Sequence, residues 1–97
     1  MEDGDDQTRR ALDLLSGAHT FPGPFELRVV VVPVSRDAVV DAVRAHVGEA
    51  GVTAVTERPS RNGTWLAVRI VTQVDRPEVV LELYAILRTV DGVVTVL

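Results

Sequence analysis

The run FELRVVVV at residues 25–32, closed by Pro33, constrains the fold of this chain more than any other feature. β-Branched side chains at this density favour a pleated, half-buried surface, and a proline, which has no N–H to give, belongs near a strand end. The sequence therefore predicts a strand from Phe25 to Val32. VVVV is apolar in both phases of the alternation, so both faces of that strand carry apolar side chains. An antiparallel sheet covered on one face would not need that, and something should cover the second side.

The remaining elements follow from the same kind of reading. SRDAVVDAVRAHVGEAG offers Ser35 as an N-cap, sets Val39, Val43 and Val47 on one helical stripe, and stops at glycines. VTAVTER and TWLAVRIVTQV are two further β-branched runs. RPSRNGTW joins them, with Pro59 ending one strand and Asn62-Gly63 supplying the positive φ angles of a tight turn. RPEVVLELYAILRTV is a second helix, with Pro77 in its first turn and Val80, Leu83, Tyr84 and Leu87 on its buried stripe; DG closes it and VVTVL is the last strand. The order is β-α-β-β-α-β. Two right-handed crossovers then place both helices on one face of a four-stranded antiparallel sheet, a ferredoxin-like α+β sandwich with the first and third strands at its centre.

Ahead of this unit, residues 1–20 are polar and acidic. Ala11, Leu12, Leu14 and Leu15 are enough for two helical turns in a flexible arm. FPGPF, with prolines on both sides of a glycine, then delivers extended chain to the first strand. The domain is expected over 21–97. A chain of 97 residues, 46% hydrophobic, has room for one core and not for two.

Composition narrows the chemistry. Without cysteine there is no disulfide framework, thiol nucleophile or Cys-based zinc site, and His19 and His46 are the only imidazoles. No metal or other cofactor is implied. A net charge of −4 argues against a nucleic-acid binder, whose affinity comes from clustered cations. The opening MEDGDDQTRR carries acid where a secretory signal carries base, and no apolar run is long enough for a membrane span, so the expected location is the cytoplasm.

FPGPF, VVDAVRAH, RPSRNGTW, LYAIL and the terminal VL, taken together in this order and spacing, resemble the YbeD-like family of small bacterial proteins, a domain-of-unknown-function family with an ACT-like fold. The resemblance runs from about Phe21 to the C-terminus. RVVVV stands where the family has a glycine after a basic residue, and Trp65 where it commonly has tyrosine. The resemblance implies fold and class but transfers no catalytic residue. ACT-like domains often bind small metabolites at subunit interfaces, so a small-molecule ligand is compatible with it.

Two places could carry function. In RPSRNGTW, Arg58, Ser60, Arg61 and the Gly63 amide could form an anion-binding hairpin, although Asn-Gly serves a plain turn equally well. Asn62-Gly63-Thr64 matches a glycosylation sequon that a cytoplasmic chain would not have modified. The second place is the sheet face away from the helices. Alternation turns Leu66, Val68 and Ile70 toward the helices and leaves Trp65, Ala67, Arg69 and Val71 on the other side, joined by Arg28, Val30 and Val32. Arg28, Val30, Trp65, Arg69 and Val71 are the candidate interaction face; an ordinary amphipathic surface with Glu26 pairing an arginine is the alternative. His46 lacks an evident partner for base catalysis and suits a helix C-terminus.

These features favour a non-enzymatic ACT-like regulatory or protein-interaction module that forms a homodimer or engages a cytoplasmic protein through the open face. An acylphosphatase-type enzyme would need a glycine-rich loop where this chain has PVSRDA. A single-stranded RNA binder would need aromatic platforms on both central strands, and Trp65 alone does not supply them.

Overall fold

Strand alternation and helical stripes assemble as the sequence requires. In the computed structural model, which describes the backbone of residues 3–97 and side chains from Asp6 onward, the order is α1 (Asp3–Ala18), β1 (Gly23–Val31), α2 (Arg36–Val47), β2 (Val52–Pro59), β3 (Leu66–Val74), α3 (Pro77–Thr89) and β4 (Val93–Val96). The strands form one antiparallel sheet ordered β2-β3-β1-β4, so β1 and β3 are central neighbours. This is the ferredoxin-like α+β arrangement, extended by a third helix at the N-terminal side. None of the helices among the described residues is long and apolar enough to cross a membrane.

One face of the sheet holds the core. Phe25, Leu27, Val29 and Val31 of β1 and Leu66, Val68, Ile70 and Val74 of β3 are buried against Val39, Val40 and Val43 of α2 and Val80, Leu83 and Leu87 of α3. Thr72 is the one buried polar residue of this layer, and its hydroxyl donates to the carbonyl of Phe25, its register partner, at 2.9 Å. A satisfied hydroxyl of this kind is tolerated in an apolar layer. Tyr84 is half-buried, edge-on to Phe25 with ring centroids 6.3 Å apart, and burial pushes its phenol pKa up.

Three local features differ from the sequence reading. Residues 3–18 form one continuous helix where two turns in an arm were expected, because Gln, Arg, Ala and Leu are good helix formers and Leu15 reaches the core cluster. Helix α1 lies beside α3, and Phe21 also packs against the core, so this segment sits on the helix side of the sheet. Ser35 stands at the N-cap of α2 but makes no side-chain cap bond, since a 3-10 turn over Pro33–Ser35 already leads the chain into the helix.

The third difference is the hairpin. Of the Asn62-Gly63 pair only Gly63 has positive φ, at 76°. The loop is longer than a two-residue turn: the Gly63 N–H donates to the Ser60 carbonyl at 2.9 Å, and Ser60 N–H to the Trp65 carbonyl at 2.8 Å. The Ser60 hydroxyl accepts from the Trp65 N–H at 2.9 Å, and Asn62 Oδ1 accepts from the Thr64 N–H at 3.2 Å. Short polar side chains that bond to nearby backbone replace the second positive-φ residue.

Candidate functional site

The face of the sheet turned away from the helices is built by strand register. Arg28 lies directly opposite Arg69, Val30 opposite Ala67, and Glu26 opposite Val71. On the other side of β3, Thr56 pairs with Arg69, Arg58 with Ala67, and Ala54 with Val71. Residues paired in register share a face. Arg28, Arg69 and Thr56 therefore form one row. Ala54 and Val71 flank it on one side, and Val30, Ala67 and Arg58 on the other.

All five residues of the candidate face come together here. Arg28, Val30, Arg69 and Val71 are on the two central strands, and Trp65, 43% exposed, shares an apolar hollow of about 280 Å³ with Val30, Arg58 and Ala67. A second, shallow hollow of about 410 Å³ is bordered by Arg28, Thr56, Arg58, Ala67, Arg69 and Leu97. Val32, also expected on this face, lies beyond the end of β1 and turns its N–H to the Gly92 carbonyl at 2.8 Å.

Two guanidiniums directly opposite one another repel, and Glu26 offsets this. Its carboxylate accepts from Arg28 Nε at 3.2 Å and from Arg69 Nε. Desolvation pushes the Glu26 carboxyl up, but the hydrogen bonds and charges of Arg28 and Arg69 outweigh it and hold the pKa below the ordinary value of 4.5. A carboxylate whose pKa is lowered by folding stabilises the fold fully above its unfolded value, and that contribution is lost as pH falls through the folded value. Glu26→Gln should therefore flatten the acid side of a plot of melting temperature against pH, measured from about pH 7 down to about pH 3. An unchanged acid limb would mean that the Glu26 bridge does not contribute.

The anion-binding hairpin presents a different picture. The Gly63 amide and the Ser60 hydroxyl are used within the turn, and Arg61 is exposed at its tip. Arg58 belongs to β2 and to the open face, because β2 continues through Pro59. The strand end at Pro59 agrees with the sequence reading; what that reading lacks is the placement of Arg58 on the open face, because the alternation of VTAVTERP is blurred by two threonines and a glutamate. Glu57, on the opposite side of the strand, pairs with Arg36 of α2 at 3.0 Å.

The two imidazoles are placed apart. His46 Nε2 lies 2.8 Å from Glu82 Oε1 and ties α2 to α3, a contact between residues 36 apart that no local pattern marks. His19 packs edge-on to Phe25, with ring centroids 4.8 Å apart. Neither is on the sheet face described above.

A family model described as "Protein of unknown function (DUF493)" matches residues 17–97, from the end of α1 through the whole sheet. The chain belongs to the DUF493 family. This is the YbeD family that the residue pattern resembles, so the DUF493 match and the motifs point to the same unit. A search of curated proteins finds no match. The DUF493 unit includes every residue of the open face.

Proposed function

We propose that this protein is a cytoplasmic, non-enzymatic regulatory or protein-interaction module whose working surface is the open face of its sheet. The observation that carries this reading is that Val30, Ala67, Val71 and Trp65 lie together with Arg28 and Arg69 on the sheet face away from α1, α2 and α3; β1 gives that face Val30 beside Pro24, Glu26 and Arg28, and not the second fully apolar side that VVVV predicts. Among the described residues no element covers Val30, Ala67, Val71 and Trp65, and α1, which could have supplied a cover, lies against α3. Tryptophan and arginine together are the side chains enriched where proteins meet.

The sheet edges are less suited to association. β2 carries Glu57, Arg58 and Pro59 at its end, and β4 has four residues. Charge, proline and short length all blunt strand addition. The interaction-module reading also fits the side-chain chemistry: the imidazole–carboxylate pair His46–Glu82 bridges two helices on the layer opposite the open face. A small-molecule ligand in the hollow beside Arg58 and Arg69 is compatible with the same surface.

Sedimentation velocity provides the test. The intact protein, alone or with its partner, should form a complex that Trp65→Ala weakens by about tenfold or more, as expected for a central aromatic anchor. A truncation starting at Thr20 should associate as the intact chain does. Complexes that form equally well with Trp65→Ala would place the contact elsewhere.

A further inference from the structure

We infer that the occupant of the open face is an acidic segment of another protein, its carboxylates over the Arg28–Arg69–Arg58 band and an apolar side chain against Trp65 and Val30. The inference rests on the interaction-module reading and names the partner's chemistry. Arg28, Arg58 and Arg69 face Glu26, the only carboxylate side chain that register places on this side among the described residues, so these four side chains sum to +2 in a chain whose side chains sum to −4. Among the described residues Arg58 has no carboxylate at ion-pair distance, and Arg28 and Arg69 share one. The cationic excess is concentrated where the apolar surface is.

A second copy of the chain fits this face poorly. A two-fold symmetric interface brings the same patch onto itself, so three guanidiniums would meet three, and juxtaposed like charge opposes association. Phosphate polymers and anionic membranes are opposed in another way. The rest of the chain carries a larger negative charge than the whole, and an extended anionic surface meets more of it than a short segment does, attenuated beyond a Debye length of about 10 Å. A short acidic segment meets only the local +2.

The geometry adds an anchor. The row of Arg28, Arg69 and Thr56 lies between Glu26, Val71 and Ala54 on one side and Val30, Ala67 and Arg58, with Trp65 beside them, on the other. Carboxylates on a segment that also carries an apolar side chain for the Trp65–Val30 hollow match that order. Guanidiniums bind carboxylates, as they do phosphates, through paired, directed donors, so the row reads the geometry of an anion and not merely its charge.

A library of random peptides displayed on phage and selected on the intact protein tests this directly. Selected sequences should be enriched in Asp and Glu around Leu or an aromatic residue. Their synthetic counterparts should shift the emission of Trp65, the single tryptophan, and should bind about tenfold more weakly to Arg58→Glu. Arg58 has no ion-pair partner to lose, so this variant should melt like the parent, and its melting curve is recorded alongside. Neutral or basic selected sequences, or binding unchanged in Arg58→Glu, would overturn the inference. So would a face that takes up phosphatidylserine vesicles in preference to the selected peptides. Self-association that Trp65→Ala abolishes and Arg58→Glu strengthens would remove the acidic partner and keep the interaction face. Peptides that bind equally to Trp65→Ala and to Arg58→Glu would remove both.

Discussion

Gly92→Val should destabilise the protein by about 2–4 kcal/mol, combining strain at a positive φ with a steric overlap. Gly92 has φ 89°, and a Cβ placed there would lie 1.9 Å from Ser35 Oγ and 2.8 Å from Ser35 Cβ. Its carbonyl also accepts the Val32 N–H, which fixes the chain between β1 and α2 to the turn between α3 and β4. The substituted residue cannot move away without losing that bond. Urea unfolding of Gly92→Ala, Ser35→Gly and the double variant separates the two causes. The overlap appears as a coupling of about 1 kcal/mol or more, and the φ strain remains in the double variant. Simple additivity of the two single changes would mean that Ser35 yields freely and that backbone strain is the whole effect.

Leu27→Ala should cost about 2–5 kcal/mol, because it removes a fully buried side chain from the central strand and leaves a cavity beside Ile70. Val30→Ala, three residues along the same strand, should cost about 1 kcal/mol or less, since it faces away from the helices and is only half-buried. The pair of variants tests the two-faced reading of β1. Leu27 holds the fold, whereas Val30 belongs to the contact surface. A 97-residue domain has a total stability on the order of 5–15 kcal/mol, so Leu27→Ala should also shift the thermal midpoint by several degrees. Equal losses at Leu27 and Val30 would mean that both sides of β1 are packed within one chain.

Much of this architecture is legible in the residues because it depends on local period. The β-branched runs locate β1 and β3, and the stripes Val39–Val43 and Val80–Leu83–Leu87 locate α2 and α3. Parity along β1 and β3 is enough to put Arg28, Val30, Arg69 and Val71 on one face. What escapes such a reading is set by contacts distant in sequence. Helix α1 looks like an acidic arm until Leu15 is seen against the core. Gly92 looks like a helix terminator, and its second constraint comes from Ser35 on the opposite side of the chain. Arg58 joins the open face through its pairing with Ala67, a cross-strand register that the polar, weakly alternating VTAVTERP does not reveal. Pro59 and Asn62-Gly63 mark the hairpin in the sequence, whereas the bond from the Trp65 N–H to the Ser60 hydroxyl closes it.

The open face as working surface is tested most directly by site-specific photo-crosslinking in the cells that make the protein. A photoreactive amino acid is placed in turn at Thr56 and Ala67, exposed on the open face, and at Ala45 and Ala85, exposed on α2 and α3. Discrete protein adducts should form from Thr56 and Ala67, disappear when Trp65→Ala is added, and be absent from the helix positions. Adducts from Ala45 and Ala85, with none from the sheet positions, would show that the helix layer is the contact surface and contradict the account.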